Sequence, residues 1–230
     1  MKHIVLATAL NVRAEPNTSS VIQAVLPRFA IVEEVEATSD RGWIKIFSPG
    51  YRGWCSNGFL LRQEVWEQPI AQLVAMEFGI GEVAGPIDNP RIVEYQKTIV
   101  GANVGDEVSW CSSFIHWSVA KHTGKRQPNI TASARSWKSW GTAANAVEPV
   151  APGCIAVLWR RNDKADIGKT AQEVAQDGAS GHVAVLAEPF SKNDKQITLL
   201  GGNQGNRVSK VTYPIGESYG VLGFRAFPPN

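Results

Sequence analysis

The chain of 230 residues has little sulfur, little excess charge and no long apolar run. Its three cysteines, Cys55, Cys111 and Cys154, are an odd number at wide spacing, with no CxxC pair and no Cys–His grouping. A full disulfide framework and a zinc site of the usual spacing are therefore excluded. Lys and Arg number 23 against 21 Asp and Glu, a formal charge of +2. So small a surplus excludes the usual basic footprint for nucleic acid and a polybasic membrane anchor. No stretch approaches the roughly 18–20 apolar residues of a membrane span. The apolar opening Met1–Leu10 is too short for the hydrophobic region of a signal peptide, and charge and a turn follow it. It is read as a strand, and the chain is expected to be made in the cytoplasm without a secretory address. Internal repeats and low-complexity tracts are absent as well.

What is present is globular composition, 43% apolar and 19% charged, with eight tryptophans. Two zones differ in texture. Residues 1–65 read as short strands: His3–Thr8, Leu10–Arg13, Val21–Val25, Ala30–Ala37, Trp43–Phe47, Tyr51–Cys55 and Phe59–Leu61. Turn residues separate them, Ser39-Asp40-Arg41-Gly42 and Ser48-Pro49-Gly50 among them, which predicts a small all-β barrel. Gln63–Pro69 reads as a link to residues 69–230.

The second zone opens with helical spacing at Ala71, Val74, Ala75 and Phe78. Asp88-Asn89-Pro90 signals a helix start, with a stop at Gly101. A third helix is expected from near Ser109 to Lys121, and a shorter one over Ala132–Trp140. Strand-like runs follow at Ile155–Trp159, His182–Ala187, Ile197–Leu200, Val208–Tyr213 and Val221–Ala226. Helices first and strands afterwards is the α+β pattern with an antiparallel sheet. Arg160–Ser180 is polar and too long for a hairpin turn, and is expected to be a lid or flap.

Cys111 stands at the start of the third helix, where free N–H groups and the positive dipole end stabilise a thiolate or an oxyanion. His116 and His122 follow at offsets of five and eleven residues, so neither faces it. His182 opens a strand after Ala179-Ser180-Gly181 and is the better base. In Leu200-Gly201-Gly202-Asn203-Gln204, two glycines allow close backbone approach and Asn203 could accept the ring N–H of His182. A helix-borne Cys, a strand-borne His and an amide on the next strand make a papain-like constellation.

Trp110-Cys111-Ser112-Ser113-Phe114, Ala134-Arg135-Ser136-Trp137…Trp140-Gly141, Gly181-His182-Val183 and Leu200-Gly201-Gly202-Asn203-Gln204 resemble bacterial and phage cell-wall hydrolases of the papain-like NlpC and CHAP superfamily. The resemblance spans about residues 70–228. It implies a thiol peptidase or amidase acting on peptidoglycan stem peptides without metal or organic cofactor. Cys111 would be the nucleophile, His182 the base and Asn203 the orienting residue, with Trp110, Trp137 and Arg160 as candidate substrate contacts. Two departures stand out: Cys154 follows Pro152-Gly153 where many relatives carry an acid, and Gly201 stands where some CHAP enzymes carry Glu. Leu10-Asn11-Val12-Arg13-Ala14-Glu15-Pro16 and Gly53-Trp54-Cys55-Ser56 resemble bacterial SH3-type domains, which accompany such hydrolases and bind wall peptides. A monomer is expected. It would be a phage-type lysin released through holin-like pores, or an injected antibacterial effector with a secretion apparatus and an immunity protein as partners. The rivals are an inactive wall-binding module and a thiol acyltransferase or transglutaminase-like enzyme.

Overall fold

Short alternating segments broken by turns build the first of two units, Met1–Gln68; the second is Pro69–Asn230. The computed structural model describes residues 1–38, 41–99, 104–144, 148–162 and 164–227. In the first unit seven strands form one antiparallel sheet in the order β3-β2-β6-β5-β4-β1-β7. They are β1 (Lys2–Val5), β2 (Ala9–Arg13), β3 (Ile22–Pro27), β4 (Ile31–Ala37), β5 (Trp43–Ser48), β6 (Tyr51–Ser56) and β7 (Leu60–Arg62). The period of two is visible in β5, where Ile44 and Ile46 are buried and Phe47 faces out. With Val12, Val32 and Cys55 they belong to one apolar cluster. Trp54 is buried, Trp43 half-buried and Tyr51 exposed. Ser39 and Asp40 of the expected turn lie outside the described residues. The expected link instead carries helix α1 (Gln63–Trp66).

The second unit is α+β. Helices α2 (Pro69–Met76), α3 (Pro90–Gln96) and α4 (Cys111–Thr123) precede a six-stranded antiparallel sheet. Its strands are β8 (Thr142–Ala143), β9 (Ile155–Arg160), β10 (Gly181–Leu186), β11 (Gln196–Gly201), β12 (Ser209–Pro214) and β13 (Tyr219–Ala226), in the order β12-β11-β10-β9-β13-β8. Local chemistry sets the helix ends. Asn89 accepts from Arg91 N at 2.9 Å and Pro90 takes the first helical position. Gly124, with φ of 70°, closes α4 in the left-handed conformation that glycine adopts without strain. The stop expected at Gly101 lies outside the described residues.

The short helix expected over Ala132–Trp140 is a 3-10 helix, Ala134–Ser139. Ala134, Trp137 and Trp140 recur every third residue and all are buried. Three residues per turn stack them in one row, where 3.6 would fan them over about 120°. The insertion expected as a flap holds helix α5 (Ala171–Asp177), with Thr170 and Glu173 forming a capping box. Arg135 ties it down: Nη2 donates to Val174 O at 2.8 Å, Nη1 to Ala175 O at 2.9 Å and Nε to Ser180 O at 3.0 Å. Asp163, within the same insertion, lies outside the described residues. No described helix is long and apolar enough to cross a membrane.

Candidate active site

Cys111 is the first residue of α4, after the N-cap Trp110. The approach to it is held from several sides. Buried Asp106 accepts from Val83 N at 2.9 Å and Asn89 N at 2.8 Å through Oδ2. Gln96 Nε2 donates to Gly105 O at 2.8 Å and Val108 O at 3.1 Å. Trp110 is fully buried and its indole N–H donates to Glu82 at 2.9 Å. Beyond the cysteine, Ser112 Oγ donates to Thr131 O at 2.7 Å and accepts from Trp137 Nε1 at 2.9 Å. The helix start is therefore anchored by buried polar contacts, whose removal would leave unpaired groups in the interior.

His182 is the second residue of β10 and pairs with Leu158 of β9. Its Nε2 lies 3.0 Å from Gln204 Oε1, and both residues are buried. The amide's own contacts decide the tautomer. Gln204 Nε2 donates to Ser209 O and, at 3.4 Å, to Leu199 O. Both acceptors are carbonyls, so the amide oxygen must be the atom facing the ring, and His182 Nε2 must carry the proton. Nδ1 is then the unprotonated nitrogen, available as a base. The N–H of Val183, next in sequence to His182, meets the Cys111 sulfur, as do those of Ser112 and Cys111 itself.

Two glycines let the strand end approach α4 and β10. A Cβ on Gly202 would meet the Trp110 ring and come within 2.8 Å of Phe114 Cδ1. One on Gly201 would fall 2.5 Å from Ala184 Cβ on β10. Real Cβ atoms do not tolerate such distances, so the pair is required by packing.

Burial dominates the electrostatics. It pushes the Cys111 thiol up, opposed by the Val183 and Ser112 N–H groups and by the charge of Arg160. It pulls the His182 imidazole down to about 4, against the hydrogen bond that the ring donates to Gln204 and with Arg160 adding to the depression. Thiol and imidazole are therefore both neutral at rest. Cys55 and Cys154 are both pushed up to about 12 by burial. Neither has help from a second residue's N–H or a cation, which marks Cys111 out among the three thiols. His116 is buried on α4, with Nε2 accepting from Gln127 N at 3.0 Å, a structural contact.

Two expectations need correction. Asn203 does not hold the ring. It occupies a left-handed turn position with φ of 57°, and the next residue, Gln204, reaches back to His182. The signal was the adjacent amide in Gly-Gly-Asn-Gln: whichever residue follows the turn returns to the sheet. Trp110 and Trp137 do not wall a cleft, because both are fully buried and their indole N–H groups serve Glu82 and Ser112. Arg160 is exposed and lines an open cleft with Arg161, Asn162, Lys164, Ser218 and Tyr219. Cys154 is half-buried, packed against the apolar cluster of the second unit. Away from Cys111, Asp88, Asp106 and Glu107 each bring one carboxylate oxygen within 4.8 Å of the others. One oxygen of Asp106 is already taken by two backbone N–H groups.

Residues 8–60 match the bacterial SH3 domain family. Among solved structures, NlpC2 from Trichomonas vaginalis is similar at 17% identity and a TM-score of 0.38, over 100% of this chain and 74% of that one. NlpC1 from the same organism is similar at 16% identity and a TM-score of 0.38, over 99% of this chain and 69% of that one. Comparison with curated proteins finds no match. Likeness at that level carries no functional weight, and the chemistry of Cys111, His182 and Gln204 must carry any reading.

Proposed function

We propose that this protein is a thiol hydrolase of peptidoglycan stem peptides, with Cys111 as nucleophile, His182 as base and Gln204 as orienting residue. The observation that carries the reading is the His182–Gln204 hydrogen bond, set beside a helix-start cysteine whose sulfur is met by the Val183 N–H. His182 Nδ1 takes the thiol proton as the sulfur attacks the scissile carbonyl carbon. N–H groups at the start of α4 hold the oxyanion. The imidazolium then gives its proton to the leaving amine, and the same nitrogen activates water to release the acyl group. Because the resting pair is neutral, the base acts during attack and a standing ion pair is not needed.

The match of residues 8–60 to the bacterial SH3 family supports attachment of the first unit to wall peptides. We favour an endopeptidase cut within the stem peptide over an amidase cut at the sugar–peptide junction. Delivery would be that of a released lysin or of an injected effector countered by an immunity protein. Cys111→Ala is expected to abolish lysis of purified walls with circular dichroism unchanged. Mass spectrometry of products from defined muropeptides identifies the bond. Undiminished hydrolysis by the variant would refute the assignment.

A further inference from the structure

The sheet register puts a cation beside the base. His182 pairs with Leu158, and Arg160 stands two residues further along β9, where its N–H meets Ser180 O at 3.3 Å. Residues two apart on a strand share a face, so Arg160 lies on the same side as His182, a diagonal neighbour at about 7–8 Å between backbones. On its other flank it pairs with Tyr219 of β13. Tyr219 packs on Tyr213 with ring centroids 4.8 Å apart, and Tyr213 on His182 at 5.5 Å. A row of rings thus leads from the imidazole to the wall of the cleft. The cleft has a volume of about 550 Å³ and is lined by Arg160, Arg161, Asn162, Lys164, Ser218 and Tyr219. Cys111 and His182 are not among these residues; Arg160 and Tyr219 link the cleft to the imidazole.

Among the described residues that lining holds three cations and no acid. Arg161 is committed to the fold, donating to Glu217 O at 2.9 Å, Lys169 O at 2.8 Å and Asp166 O at 3.2 Å. The Asp166 carboxylate is engaged by Lys169 at 2.9 Å. The Arg160 guanidinium, by contrast, has no hydrogen bond or ion pair among the described residues. Its charge nevertheless acts on Cys111, His182 and Tyr213. A planar guanidinium with no counter-ion among the described residues suits a carboxylate, which it can bind through two parallel N–H donors.

We propose that Arg160 receives a free carboxylate of the substrate, so that the bond cut lies beside a carboxylate-bearing residue. The proposal rests on the thiol-hydrolase reading above and names the substrate class for that site. It excludes amidated stem peptides as good substrates. It also gives Arg160 a second effect: a bound carboxylate offsets the positive charge that disfavours the imidazolium of His182.

The test uses the full-length protein and two stem peptides that differ only at the residue beside the scissile bond, free acid in one and amide in the other. Wild type is expected to prefer the acid by about tenfold or more in kcat/KM, the scale of one charged hydrogen-bonding pair. Arg160→Gln should bring the ratio near one, and Arg160→Lys should leave it intermediate. A ratio is read within one sample, so partial misfolding of a variant does not alter it. A wild-type ratio near one, or an equal loss on both peptides in Arg160→Gln, overturns the proposal. A second arm needs no peptide: Cys111 is alkylated by iodoacetate or iodoacetamide, the sulfur displacing iodide, and the site is read by mass spectrometry. The ratio of anionic to neutral reagent should fall several-fold in Arg160→Gln. An unchanged ratio overturns the carboxylate site even if peptides are cut. A fall in that ratio in a protein that cuts neither peptide keeps the carboxylate site and overturns the peptidoglycan reading instead.

Discussion

Gln204 and Asn203 are neighbours with opposite duties. Gln204 has its amide hydrogens on backbone carbonyls and its oxygen on His182. Gln204→Ala would free the ring to rotate and lose the proton placement on Nε2. Its kcat is expected to fall about 10²-fold, the penalty for a misplaced catalytic group. Asn203→Ala should instead cost about 1 kcal/mol of stability through its left-handed backbone, with kcat little changed. The reverse ranking in paired steady-state and denaturation measurements would return the orienting role to Asn203. His182 also makes a pH prediction. Burial holds it at about 4, below its ordinary 6.5, so between those values only the unfolded chain binds the proton. Stability contributed by the neutral ring is therefore complete above pH 6.5, falls as pH drops toward 4, and changes by about 3 kcal/mol in all. Urea titrations at pH 6.5 and 4 should show a smaller loss for His182→Asn than for wild type. Equal losses would mean that the ring is not buried in its neutral form.

At the scale of elements, the site depends on one strand end meeting one helix start. Gly202→Ala would drive a methyl group into Trp110 and Phe114, the residues that frame Cys111. Overpacking of this kind costs about 1–3 kcal/mol, and relief by movement of α4 would shift the nucleophile. A lower midpoint of thermal unfolding together with lost activity is expected; retention of both would show that helix and strand have room between them. The 3-10 helix serves the same junction. Trp137 braces Ser112, and Arg135 draws α5 and the entry to β10 onto the sheet. The stretch between β9 and β10 is thus a folded element wherever it is described. The Thr170…Glu173 capping pair was legible evidence against a flap.

For the whole molecule, each of the two units has an apolar cluster of its own. The cluster around Val12, Ile46 and Cys55 lies within residues 1–68, and that around Leu158, Leu186 and Phe224 within residues 69–230. Under the proposed function, residues 69–230 alone should cut soluble muropeptides while losing retention on insoluble walls. Co-sedimentation with purified walls and a soluble-substrate assay together measure this. Unchanged co-sedimentation of the shorter chain would remove the wall-binding role from the first unit.

Periodicity, turns and caps in the chain sufficed for the α+β class, for α4 and for the order of Cys111, His182 and a following amide. Those features are local, and backbone geometry acts on them within a few residues. Which amide turns toward the imidazole was decided in three dimensions, by the carbonyls of Leu199 and Ser209 that claim the amide hydrogens of Gln204. The fate of Trp110 and Trp137 was decided there too, since an indole beside a cysteine reads the same whether it faces a cleft or the core. Arg160 is the sharpest case. Its charge is plain in the chain, but only strand register sets it on the face of His182. Register is a property of paired strands, and a single strand does not carry it.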